Sequence, residues 1–143
     1  MKVIIRNIVV FIMALVIGSV VNMSLIMVSG HVIPPPNGAD VTTMEGLQAS
    51  LHLFEPKHFI FPFLAHALGT FVGAVFVTLL AVSHKMKLAL AVGCTFLLGG
   101  VMNVFMLPAP LWFCALDLIG AYLPMAWLGT MLAQKFQAPA SAV

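Results

Sequence analysis

The chain is nearly without charge. Six Lys and Arg and four Asp and Glu make up 7% of its 143 residues, where a soluble domain carries about 25%. With 62% hydrophobic residues and a mean hydropathy of +1.15, no soluble fold of this length could bury its apolar surface, so the solvent must be lipid. There is no basic stripe and no nucleic-acid motif, which removes that class of partner. Only two cysteines are present, with no CxxC. Cys94 and Cys114 differ in expected membrane depth by roughly 15 Å, too far for a disulfide, and read as small apolar residues. A phosphate loop and a nucleophile elbow are missing too. One Tyr and two Trp are too few to draw aromatic belts, although Trp112 falls at an expected membrane border.

What is present is a set of long apolar runs. Residues 7–29, 58–83, 87–107 and 111–133 are each long enough as helices to cross a hydrocarbon core of about 30 Å. A β-barrel would show alternation instead. The chain therefore reads as an all-α membrane protein, a single integral domain over 1–143. Lys2, Arg6, Lys85, Lys87 and Lys135 fall on one side of these spans, while Lys57 shares the other with Asp40, Glu45 and Glu55. That asymmetry predicts a multi-pass protein with both termini in the cytoplasm. The first span is too long for a cleaved signal peptide and no small-x-small site follows it.

The runs repeat. Gly18-Ser19-Val20-Val21-Asn22 in the first is echoed by Gly99-Gly100-Val101-Met102-Asn103 in the third. The second and fourth each carry one ionisable residue, His66 and Asp117, followed three residues later by Gly69 or Gly120 and five later by Phe71 or Tyr122. The spans read as two pseudo-repeated hairpins, related by an axis along the membrane normal. Counted from the span ends, Asn22, His66, Asn103 and Asp117 all lie about 7–12 Å below the outer border. They share one layer. An ionised Asp117 alone in hydrocarbon is too costly to exist, so it needs a proton or a partner, and His66 is at the right depth. Asn22 and Asn103 can complete a network, with Thr70 one turn from His66. Taken singly, each Asn reads as packing glue worth about 0.6–2 kcal/mol. His66 with Asp117 points to function, because ions in lipid cost more than glue requires.

The connections are unequal. Residues 84–86 and 107–110 make tight turns, but 30–57 is a long outer loop. His31 to Gly38 is stiffened by Pro34, Pro35 and Pro36. Thr42-Thr43-Met44-Glu45 fits a capping box, and Met44, Leu47, Leu51 and Phe54 recur at helical spacing, predicting an amphipathic helix over 42–54 on the outer face. Pro56 suits the first turn of the helix that follows. Pro62 and Pro124 should kink their spans. Ala65, Gly69 and Gly73 form a small-residue ladder that suits an internal helix contact or a dimer face. His52-x-x-Glu55-x-x-His58 invites a metal reading. On a helix, positions six apart diverge by about 120° and Pro56 interrupts the turn, so no metal and no cofactor is implied; a Lys57–Glu55 surface pair is the simpler reading.

Ile33-Pro34-Pro35-Pro36-Asn37-Gly38, His52-Leu53-Phe54-Glu55-Pro56-Lys57-His58-Phe59 and Ala65-His66-Ala67-Leu68-Gly69 resemble the same stretches of small, uncharacterised four-helix bacterial inner-membrane proteins. The resemblance implies a bacterial envelope protein of the architecture above and brings no activity with it. Three functions stay open. The first binds or conducts a proton, ion or small polar ligand at Asp117, His66, Asn22, Asn103 and Thr70, reached beneath the 42–54 helix, with a homo-oligomer supplying any complete path. The second is an accessory subunit of a larger membrane complex, its polar layer only glue. The third is a small intramembrane enzyme with His66 as acid–base, which lacks an evident nucleophile.

Overall fold

A computed structural model of the protein describes residues 1–137; the last stretch of the 1–143 domain, 138–143, lies outside the described residues. All of its regular structure is helical: α1 (Lys2–Val32), α2 (Met44–Ser50), α3 (Ile60–Leu80), α4 (Lys85–Met106), α5 (Leu111–Gly120) and α6 (Leu123–Gln137), with 3-10 turns at Leu51–Leu53 and Pro56–Phe59. Four helical stretches are long and apolar enough to cross a membrane: Lys2–Val32, Pro56–Leu80, Lys85–Met106 and Leu111–Gln137. The first begins earlier and ends later than its apolar run, and the turn between the middle two falls at 81–84, so α3 is shorter and α4 starts sooner than expected.

α3 is the axis of the molecule. α1, α4 and α6 all pack on it, while α1 scarcely touches α4. The small-residue ladder explains the first contact. A Cβ on Gly69 would stand 2.7 Å from the Gly18 carbonyl oxygen, and one on Gly73 would stand 3.0 Å from that of Ala14. Close backbone approach of this kind is how helices associate when lipid is the solvent. The ladder is thus an internal contact. On the opposite flank, a Cβ on Gly129 would stand 2.7 Å from the Phe71 carbonyl oxygen. The echoed phrase of the third span packs differently: Gly99 faces open space and Gly100 takes the close contact, against Tyr122.

The two ends are tied separately. At one, which we call the terminal end, Asn7 Nδ2 donates to the Ser83 carbonyl at 3.2 Å and its Oδ1 accepts from Val82 N at 3.0 Å. There Lys85 Nζ also donates to Gln137 Oε1 at 2.6 Å. At the loop end, Gln48 Nε2 donates to the Met106 carbonyl at 2.6 Å, and Phe59 packs on Phe113 with ring centroids 4.8 Å apart. The helix expected over 42–54 is only about two α-turns, 44–50, running into a 3-10 turn. Its cap is Thr43 rather than Thr42, with Thr43 Oγ1 accepting from Gly46 N at 2.9 Å. Thr42 is drawn away because it bonds Asp40: its amide and hydroxyl donate to Oδ1 at 2.8 and 2.6 Å. Those bonds hold the Asp40 carboxyl below its ordinary value, and the Lys57 ammonium, 3.0 Å from Glu55, does the same for that carboxyl.

The two intraspan prolines differ. Pro62 falls in the first turn of α3, where its missing N–H is tolerated, and the helix runs on through it. Pro124 has no N–H for the Gly120 carbonyl, and the fourth stretch is broken at Ala121–Tyr122.

Candidate functional site

His66 projects from the second turn of α3 and Asp117 from the last turns of α5. Imidazole Nδ1 lies 2.8 Å from Asp117 Oδ1 and 2.9 Å from Oδ2. The side chains are 16% and 6% exposed. Against a carboxylate, Nδ1 is the donor, which fixes the tautomer and leaves Nε2 as the ring's remaining polar atom. A third group completes this pair. Tyr122 Oη donates to Asp117 Oδ2 at 2.8 Å, and its ring stacks on His66 with centroids 5.7 Å apart.

The break at Pro124 makes that third contact possible. On an unbroken helix, positions five apart point about 140° away from each other. Because α5 stops where Ala121 N donates to the Asp117 carbonyl at 2.9 Å, the chain turns and the Tyr122 hydroxyl reaches back to the carboxylate. Gly100 of α4 makes room for it: a Cβ there would stand 2.6 Å from Tyr122 Cζ. Tyr122 was visible in the sequence only as an aromatic five residues after Asp117. Pro124 two residues beyond was the signal that the two could meet.

Asn22 and Asn103 do not close the hydrogen-bond network. Among the described residues, neither amide bonds His66 or Asp117. Both instead line a cavity of about 310 Å3 with His66, Thr70, Ser19 and Tyr122. Its floor is α3 and its walls are α1 and α4. Thr70 joins through the backbone, since its hydroxyl donates to the His66 carbonyl at 2.8 Å and presents only oxygen lone pairs to the cavity. Asp117 lies behind this wall. It lines a second, apolar cavity of about 130 Å3 roofed by Leu47, Leu51 and Phe54. The two cavities share His66, Gly100 and Asn103. Toward the terminal end the space is filled by Ala14, Ala74, Ala89, Val92 and Ala126, all buried.

Neither cavity is lined by Lys or Arg. What the His–Asp pair presents to the larger cavity is an imidazole edge beside two amides. Such an edge can hold, give or take a proton at Nε2. Two histidines of the loop end, His52 and His58, are occupied locally. His52 Nδ1 lies 2.7 Å from the Ala49 carbonyl and His58 Nδ1 accepts from Glu55 N at 2.9 Å. Among the described residues no cluster of three metal-ligating side chains occurs. Cys94 is exposed and Cys114 buried, both free thiols.

No protein-family model, curated protein or solved structure matches this chain.

Proposed function

We propose that this is a small integral protein of the bacterial inner membrane that binds a proton, ion or small polar ligand at a layer formed by His66, Asp117, Asn22, Asn103 and Thr70. The observation that carries the reading is the cavity of about 310 Å3 on which Asn22, His66, Thr70 and Asn103 converge, with Asp117 fixing the imidazole from behind at 2.8 Å. Glue would join these amides to the pair or to each other. Instead they face open volume, as ligand contacts do. The packed alanines toward the terminal end favour binding over conduction within one chain; a complete path would need further copies.

The membrane setting belongs to the same proposal. Four apolar stretches support spanning the bilayer. Arg6 and Lys85 bond groups at the terminal end, and basic residues gather on the cytoplasmic side of membrane proteins, which supports a cytoplasmic setting for both termini. Two parallel repeated hairpins would explain why Asn22 and Asn103 share one cavity. Native mass spectrometry of protein extracted in mild detergent tests the site. The wild type should retain a co-purifying small molecule, or show proton-linked chemical shifts at His66, and Asn22→Leu with Asn103→Leu should lose them. A wild type with neither property overturns the reading.

A second reading, an accessory subunit in a membrane complex, is favoured by one observation. α1 packs almost wholly on α3 and leaves Ile8, Ile12, Val16 and Val20 exposed along its length. Extraction as a lone monomer would reject it.

A further inference from the structure

The larger cavity opens sideways. α1 and α4 each pack on α3 but scarcely on one another, so the space between them stays open along the flank of the bundle. At its rim Met23, which lines it, is 57% exposed, and Val20 and Met102 on the adjoining turns are 60% and 59% exposed. Within that rim Ser19 and Asn103 are exposed, and a Cβ on Gly99 would meet nothing within 4 Å. At the loop end the roof of Leu47, Leu51 and Phe54 covers the apolar cavity, and Gln48 fastens it to the end of α4. In a bilayer, a flank of this kind meets acyl chains rather than water.

The interior then limits what can enter from that side. With no Lys or Arg on the cavity, no fixed positive charge favours a phosphate or carboxylate head over a neutral one. The polar groups suit an uncharged head that offers oxygens. Amides stand on opposed walls, Asn22 on α1 and Asn103 on α4, and His66 stands on the floor. Phe96 and Tyr122 give flat aromatic walls, which pack best on a flat ring.

We propose that the cavity takes a neutral, lipid-soluble ring compound of the quinone or quinol class, reached laterally from the bilayer between α1 and α4. The ring's two oxygens, on opposite edges, face the two amides and the His66 edge, and its apolar tail lies along Val20, Met23 and Met102. This rests on the proposal that the polar layer is a ligand site and adds to it the ligand's class and its route.

The test uses the full chain in phosphatidylcholine nanodiscs, with a decyl-substituted benzoquinone and its tail-less dimethoxy-methyl analogue as probes, followed by titration calorimetry. The decyl compound should bind saturably. Asn22→Leu and Asn103→Leu should each weaken it about tenfold, as loss of a hydrogen bond would. Gly99→Phe places a ring at the open mouth from a position where a Cβ meets nothing within 4 Å and should weaken it at least as much, with helix content unchanged by circular dichroism; Ser19→Phe is the second plug should that variant misfold. The tail-less analogue should bind more weakly than the decyl compound. Absence of saturable binding, or binding untouched by both plugs, overturns the inference. If the protein retains a water-soluble molecule while the decyl compound does not bind, the quinone class falls and the ligand site stands. If neither is retained and His66 shows no proton-linked shift, both fall.

Discussion

Gly100 and Tyr122 are fitted to each other: a Cβ on the glycine would stand 2.6 Å from the phenol Cζ and closer still to its hydroxyl. That hydroxyl donates to Asp117, so a methyl group on α4 bears on the carboxylate through one intervening ring. Gly100→Ala should displace Tyr122 and cost about 1–3 kcal/mol, the usual penalty of overpacking. Tyr122→Phe should cost about 1 kcal/mol, one hydrogen bond. It also removes the atom nearest the new methyl, so Gly100→Ala should cost less in the Tyr122→Phe background. Unfolding of the four variants in a double-mutant cycle measures this coupling. Strict additivity would show that the two residues do not touch.

His66 and Asp117 respond differently to conservative and truncating changes. Asparagine in place of Asp117 keeps a carbonyl oxygen to accept from Nδ1, and its NH2 can donate to the Tyr122 hydroxyl with that bond reversed, so Asp117→Asn should fold with a loss of about 1 kcal/mol. Asp117→Ala leaves both donors unanswered in a closed space and should cost about 1–3 kcal/mol more. Nitrogen-15 shifts of His66 read the geometry: the Nδ1-protonated tautomer should persist in Asp117→Asn and be lost in Asp117→Ala. The same tautomer in both variants would mean that residue 117 does not orient the imidazole.

Depth counting was enough to bring His66 and Asp117 together, because rise per residue in a helix is fixed and each lies a countable distance from a span border. The Asn22 and Asn103 amides show its limit. Depth put them in the same layer, but which way each faces depends on how far apart α1 and α4 stand, and that follows from Gly18 and Gly69 drawing α1 onto α3 instead. Tyr122 was hidden for another reason. A five-residue spacing is unfavourable on an intact helix, and only the place where Pro124 breaks the hydrogen-bond ladder makes it a contact. The long loop misled by one residue: Thr42 and Thr43 are chemically equal as caps, and Asp40 made the choice by taking the Thr42 amide and hydroxyl at 2.8 and 2.6 Å, while the Thr43 hydroxyl donates to it only at 3.4 Å and still accepts from Gly46 N.

The α1–α3 crossing offers a contrast between glycines. A Cβ on Gly18 would stand 2.6 Å from the Gly69 carbonyl oxygen and against the Phe96 ring. Backbone cannot step aside cheaply, so Gly18→Ala and Gly69→Ala should each separate the helices and cost about 1–3 kcal/mol. Gly99, facing open space, should behave in the opposite sense. Gly99→Ala should be neutral or stabilise by about 0.5–1 kcal/mol through helix propensity alone. Thermal unfolding of the single variants reads the difference directly, and equal effects at Gly69 and Gly99 would contradict the crossing.

Asp40 makes the loop end sensitive to acid. Thr42 donates two hydrogen bonds to its carboxylate, which lowers its pKa from the ordinary 3.8. A group whose folded value is depressed contributes stability that is present above its unfolded value and is lost as pH falls through the folded one. The turn at 40–43 should therefore hold from neutrality down to about pH 4 and loosen below it. Amide exchange at Thr42 should accelerate in that window while exchange in α3 does not. Gly46 supplies the control. A Cβ there would stand 2.8 Å from Asp40 Cβ and against the carboxylate itself, so Gly46→Ala should push Asp40 off the turn and remove the acid dependence. If Thr42 exchange keeps the same pH profile in Gly46→Ala, some other carboxyl sets it.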